Sequence, residues 1–350
     1  MRKICPSLLL LPFICFAEDA RPAPTIEIAP SARIELENGW GAHFFGDLLY
    51  WKTGEEGLSY ALSSLNFSAN PPSPQDDVFH GVKGNVKRVD PEYAFGFRLG
   101  TWINLPWDGW DLAFYWTSYH NDQHSHLTAN APKAISPFWL NNNFNPMAQK
   151  AKASWKLTFD SLDLNLGRNF YAGDFLSLRP FVGLKAGWIH QRLNLKYEEI
   201  TFSNGQTLPF LKSFNRDNSS GYGILGGLET KWRLGKGFSI EGNGSIALLW
   251  TDHEINQFEY NDPSIPRSQI RNPLSKIASM YDLFAGVRWE HVYCKQRLYV
   301  ALHAGWEEQV WAAQNQLSRF IGNTENLGAT MNNEGDLTFS GWTIGAALGF

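Results

Sequence analysis

Large apolar side chains recur at every second position along much of this chain, with small or charged residues between them. Near the end, Trp342, Ile344, Ala346, Leu348 and Phe350 alternate with Thr343, Gly345, Ala347 and Gly349. Successive side chains of a strand point to opposite faces, so this spacing predicts a strand with one apolar face. The same reading applies to residues 40–50, where Trp40, Ala42, Phe44, Leu48 and Tyr50 oppose His43, Asp47 and Trp51, and to residues 93–100 and 110–117. Over residues 153–170 the apolar phase moves from odd (Trp155, Leu157, Phe159) to even (Leu162, Leu164, Leu166), which predicts a bulge near Asp160 and Ser161. Alternation returns over 176–188, 222–234, 238–250, 281–290, 297–307 and 337–350. The total is about ten strands. Twelve is the alternative, if residues 57–62 and 82–89 pair as an added hairpin instead of extending the first two strands.

The connections alternate in length. Short turns fall at "NLPWDG" (from Asn104), "YAGD" (from Tyr171), "GKG" (from Gly235) and "YCKQ" (from Tyr293), and long polar stretches cover 53–90, 121–152, 194–219, 252–277 and 308–336. Strands running up and down put every short turn, and both termini, at one end. The expectation is an all-β, antiparallel up-and-down transmembrane barrel with short periplasmic turns and long extracellular loops. A barrel has no open edge in lipid, so the last strand must pair with the first, and Phe350 marks that closure. Trp40, Trp110, Trp232 and Trp289 near the short-turn end, and Trp116, Trp155, Trp188 and Trp250 toward the other, suggest two interfacial aromatic belts. A soluble sandwich also alternates, but does not explain the sorted connection lengths.

The start of the chain sets the compartment. Arg2 and Lys3 precede an apolar run ending at Phe16, with Cys15 and Ala17 before the expected cleavage, so residues 1–17 read as a signal peptide. Residues 18–38 are rich in proline and charge and read as an exposed periplasmic segment, and residues 39–350 as the barrel. Of three cysteines only Cys294 lies beyond the leader, leaving an intermolecular disulfide as the one disulfide open to it. Without Arg2 and Lys3, 28 basic residues stand against 34 acidic ones, an acidic balance that argues against nucleic acid as a partner.

Polar positions opposite the apolar face give the candidate lumen. Arg98, Arg179, Lys185, Lys231, Arg233, Arg288 and Arg297 would point inward beside Asp47, Asp111, Asp163, Glu229, Glu241, Asp282 and Glu290. Such mixed charge would keep water in the bore. The competing reading is a closed lumen of ion pairs, since about ten strands lie near the narrow end of barrel sizes. "HNDQHSH" places His120, Asp122, His124 and His126 close together, with Asp252, His253 and Glu254 on another strand, a pattern that could ligate a transition metal. The bland reading, ordinary loop residues, is preferred, and no metal, cofactor or catalytic group is assigned.

Several segments carry a family resemblance: "GDLLYWKTGEEGLSYAL" from Gly46, "GFRLGTWINLPWDGWDLAFYWTSYH" from Gly96, "RPFVGLKAGWIHQRLNLKY" from Arg179, "GLETKWRLGKGFSIEGNGSIALL" from Gly227 and "LHAGWEEQVWAAQNQL" from Leu302. The chain resembles the Legionella-type major outer membrane protein family and the similar porins of Chlamydia-related bacteria. The resemblance implies an abundant outer-membrane barrel with a porin or adhesin role. A single mature cysteine departs from the cysteine-rich chlamydial relatives and argues against an extensive disulfide network. The functional expectation is therefore a porin, not an enzyme, passing small hydrophilic solutes or ions through a narrow charged lumen. The alternative is a surface structural protein or adhesin using its long loops, and a rim hydrolase resembling the omptins is the remote one. Expected partners are outer-membrane lipid, small solutes, the barrel-assembly machinery, and further copies of the chain as an open option.

Overall fold

The computed structural model describes residues 29–34, 36, 41–66, 84–130, 133–140, 146–202, 205–262, 265–320, 330–332 and 334–350. Residues 1–17, expected to be a signal peptide, fall outside them, as does Trp40. Ten strands form the principal sheet: β1 (Ala42–Glu55), β2 (Tyr93–Asn104), β3 (Trp110–Thr128), β4 (Lys150–Arg168), β5 (Leu176–Thr201), β6 (Thr207–Gly235), β7 (Phe238–Asp262), β8 (Ile265–Tyr293), β9 (Leu298–Asn315) and β10 (Gly335–Gly349). Each pairs antiparallel with its neighbours in sequence. β10 pairs with β1 from His43↔Gly349 to Glu55↔Leu337, which closes the ring. The Phe350 N–H donates to the Ala42 carbonyl at 3.3 Å, and the Phe350 ring lies outward, 58% exposed.

The chain is a closed ten-stranded antiparallel barrel whose strands are unequal. β1 and β2 have 14 and 12 residues, whereas β6 and β8 have 29 each. About 9–11 residues suffice to cross a bilayer's apolar layer, so one side of the wall stands far above it. The stretches 194–219 and 252–277, expected as loops, are mostly strand: β5 runs to Thr201 before β6 begins at Thr207, and β7 to Asp262 before β8 begins at Ile265. Some of their polar residues, such as Arg216 and Glu254, lie on the outer face of a wall in water, and others, such as Asn215, Asp217, His253 and Gln257, are buried on its inner face.

That wall also explains the phase change in β4. Its pairing with β3 and β5 runs through Asp160 and Ser161 without a register shift, so no bulge is present. Trp155, Leu157 and Phe159 point inward and are buried, whereas Leu164 and Leu166 are exposed on the outer face. The environment changes half-way up the strand and the side-chain phase does not. Trp155 accordingly belongs to the interior, not to an aromatic belt; Trp116, Trp188 and Trp250 remain on the outer surface.

Two further segments depart from expectation. Ser59–Asn66 pairs with Asn85–Arg88, and also with Lys133–Pro137, in a separate three-stranded sheet. It therefore does not extend β1 and β2 as the sequence suggested. The Tyr197 hydroxyl donates to the Tyr60 carbonyl at 2.6 Å and the Tyr60 hydroxyl lies 3.0 Å from Ser125 Oγ, holding this sheet against the wall. At the short-turn end, residues 29–34 and 36, the described part of the segment expected to be exposed, lie across the barrel mouth. Ala32 N–H donates to the Asn169 carbonyl, Tyr171 N–H to Pro30, and Asn104 Nδ2 to Ile34. Ile34 and Leu36 pack against the buried group Tyr299, Ala301 and Ala347.

Candidate functional site

Inside the belt of outward apolar residues lies a cavity of about 250 Å³. Its wall carries six cations, Arg33, Arg98, Arg179, Lys185, Lys231 and Arg288, and seven carboxylates, Asp47, Asp111, Asp163, Glu229, Glu241, Asp282 and Glu307. All but Arg33, which comes from the N-terminal segment, lie on β1–β9, because every inward position at this level alternates with a membrane-facing one: Lys185 lies beside Leu184, and Arg98 beside Phe97 and Leu99.

The charges are paired across strands. Arg179 donates Nε to Asp111 at 2.9 Å and Nη1 to Glu229 at 2.8 Å. Arg98 donates Nη1 to Glu307 at 3.1 Å, with Asp47 3.6 Å from the same nitrogen. Lys185 reaches both oxygens of Asp163 at 2.8 Å, Lys231 reaches Glu290 at 2.8 Å, and Arg288 donates to Glu241. Gly345 makes room for this lattice, since a Cβ there would collide with Asp47 and His303. Pairs this deep resist dissociation, because removing one partner leaves a charge without water or counter-ion.

Above the chamber, rings pack across part of the interior, beside a polar group from β6 and β7 that includes Asp217, His253 and Gln257. Phe339 sits 5.7 Å from Trp51, 5.5 Å from Tyr119 and 4.7 Å from Phe159, and Phe159 is 5.4 Å from Trp311. Trp51, Tyr119, Phe159 and Phe339 are at most 1% exposed. Two chamber cations touch this ceiling: Arg98 is 5.7 Å from the Trp51 ring centre and Lys185 5.7 Å from that of Trp311, within cation–π range. Arg33 and Ile34 of the N-terminal segment form part of the floor, where Arg33 Nη1 donates to the Leu105 and Trp107 carbonyls at 2.9 and 3.1 Å. The chamber thus lies between an aromatic ceiling and a strapped floor.

Of the residues expected in the lumen, Asp47, Arg98, Asp111, Asp163, Arg179, Lys185, Glu229, Lys231, Glu241, Asp282 and Arg288 line the chamber. Glu290 joins its edge through Lys231 and Tyr299. Arg233 lies exposed at the mouth, over the Tyr171 ring, donating to the Asp174 carbonyl at 2.8 Å. Arg297 is a correction: it shares the inward phase of β9, but the chain turns at Tyr293–Leu298 before that phase applies, and the residue lies in the exposed turn. Sequence reasoning missed Glu307, 2% exposed, and His303. Both alternate with Leu302, Ala304 and Trp306, and that alternation was the signal that could have found them.

The histidine-rich stretch is not brought together with its proposed partners. Asp122 is engaged by Lys156 at 2.6 Å and His124 at 3.4 Å, while His253 points inward to Asp217 at 3.1 Å. Among the described residues, no group of three or more His, Cys, Asp or Glu is arranged to hold a metal ion. Cys294 is an exposed thiol in the last short turn.

Comparison with solved structures gives the outer membrane protease OmpT of Escherichia coli, at 12% identity and TM-score 0.44, covering 88% of this chain and 95% of that one. It also gives a FadL homologue of Pseudomonas aeruginosa, at 9% identity and TM-score 0.27, covering 88% and 90%. No curated protein matches. The family model described as the Legionella pneumophila major outer membrane protein precursor matches residues 35–350. With that match over nearly the whole described barrel, the chain belongs to the Legionella major outer membrane protein family and is an outer-membrane β-barrel.

Proposed function

We propose that this barrel is a porin for small hydrophilic solutes and ions, with the charged chamber as its narrow conduit and with the ceiling and floor holding it shut in the form described. The observation that carries this reading is the contrast inside one wall. The upper interior is closed by the rings packed around Phe339 and by polar side chains bonded to one another, such as Asp217 to His253 and Asn215 to Gln257, whereas the membrane-spanning wall keeps twelve charged side chains, joined by Arg33 of the strap, around a void. Buried ion pairs seldom stabilise a fold more than apolar packing of equal volume, so their retention supports a role in passing water and ions.

The test is conductance of the refolded protein in a planar bilayer, beside a Lys185→Glu, Arg233→Glu variant and a Trp311→Ala, Phe339→Ala variant. Small discrete steps are expected, more frequent once the ceiling is trimmed, with selectivity moving toward cations when the two basic residues are reversed. A second reading rests on the ceiling itself, which fits a surface structural or adhesive barrel with no conduit. A folded, heat-modifiable barrel silent in all three forms would sink the porin and leave that reading.

A further inference from the structure

Above the membrane belt, the outer faces of β4, β5 and β6 carry two rows of cations at directly opposed positions. Lys156, Arg192 and Arg216 are Cα partners across the three strands; so are Lys152, Lys196 and Lys212, four residues further up each strand. The lysines are partly neutralised: Asp122 takes Lys156, and Glu198 lies 3.5 Å from Lys152 and also takes Lys196. Arg192 and Arg216 face each other, both exposed, with no acidic partner among the described residues. Like charges directly opposite one another in a sheet are destabilising, so an uncompensated arginine pair is a cost unless an anion sits between the two.

The position says which anion. Arg192 lies four residues beyond Trp188 on the same face of β5, about 13 Å along a strand rising 3.3 Å per residue. Trp188 ends the outward apolar run that contains Val182 and Leu184, and Asp160 is the one carboxylate opposite it on β4. The arginines therefore stand at headgroup height, beside the outer leaflet. The arrangement is one-sided: four residues beyond the aromatic row Trp306, Trp342 and Tyr50 on β9, β10 and β1, the same face carries Val310, Thr338 and Gly54. From this we infer that Arg192 and Arg216, flanked by Lys156 and Lys212, bind the phosphate groups of a phosphorylated glycolipid headgroup in the outer leaflet. Guanidinium groups suit this task, since each offers a planar fork of donors to phosphate oxygens.

The test follows thermal unfolding of the refolded full barrel in neutral detergent, titrated with bis-phosphorylated lipid A, with dephosphorylated lipid A, and with inorganic pyrophosphate. Wild type is expected to unfold at higher temperature with bis-phosphorylated lipid A. An Arg192→Gln, Arg216→Gln variant should need at least about tenfold more of it for half the shift, while Lys87→Gln, Arg88→Gln on the small sheet should respond as wild type does. Without lipid, the arginine variant should unfold no lower than wild type, because a repulsion has been removed. An equal response in the arginine variant, an equal shift from dephosphorylated lipid A, or a shift reproduced by pyrophosphate alone would each overturn the inference. So would a lipid-free arginine variant that unfolds early, since the arginines would then be structural.

Discussion

On one strand, β5, Val182 and Leu184 face outward at 64% and 60% exposure while Lys185 faces the interior; a few residues later Leu193 is buried inside and Arg192 lies outside. The same two-residue period serves both halves of the barrel with its polarity exchanged. Below, lipid takes the apolar face and the interior keeps the charges; above, water takes the outer polar face, and apolar rings together with a bonded polar group around Asp217, His253 and Gln257 fill the middle. The lesson is that alternation specifies a strand and its two faces, and only the surrounding solvent says which face is inside.

The largest effect should come from the upper interior. Phe339→Ala removes a ring that three others pack against, and should cost about 3–5 kcal/mol as in a soluble core, read by denaturant unfolding of the refolded barrel. A loss below about 1 kcal/mol would mean that the upper half is not held by packing. Next comes a matched pair on the outer face of β5. Leu184→Arg, in the apolar belt, should cost about 2–4 kcal/mol in a bilayer, whereas His190→Arg, above it, should change stability by no more than about 0.5 kcal/mol. Similar costs at the two sites would erase the distinction between the halves.

A smaller effect is pH-dependent. Glu55 is half-buried, with its carboxyl enclosed in the upper interior beside Gln191, which donates to it at 3.3 Å, and that enclosure, with Asp217 and Asp336 nearby, pushes the carboxyl well above the ordinary range. A raised folded-state value means that the stabilising neutral form is fully present below the unfolded carboxyl's titration, and that this contribution is lost as pH rises through the higher value. Glu55→Gln keeps an acceptor for Gln191 without the charge. It should gain on the order of 1 kcal/mol at neutral pH and nothing at acid pH, and a gain independent of pH would refute this assignment.

Strand number, direction and closure were legible because they follow from side-chain period and connection length. Most of the chamber was legible too, since Arg98, Asp163, Lys185 and their neighbours sit opposite runs of obvious lipid-facing residues. What escaped was set by tertiary surroundings. Trp155 and Phe159 are apolar residues on an inward face, and a one-environment reading takes them for a slipped outward one. The lengths of β6 and β8 were hidden because a strand in water with a polar outer face reads as a polar loop. The strap at residues 29–34 has no period at all, and is held by backbone carbonyls and by Arg33 reaching turns more than 70 positions away.

The seam between β1 and β10 has a consequence for how the molecule comes into being. It joins ends that are distant along the chain, as in the Trp51 Nε1 bond to the Thr343 hydroxyl at a separation of 292 residues. Closing so large a loop carries its entropy cost before any contact is made in return, which places the seam late in assembly and makes it slow. Phe339 arrives on the same strand, so the aromatic ceiling is incomplete until the ring is shut. A translation product lacking β10 would be no smaller barrel. It would be an open sheet with two unpaired edges in lipid and a hollow where its centre should be.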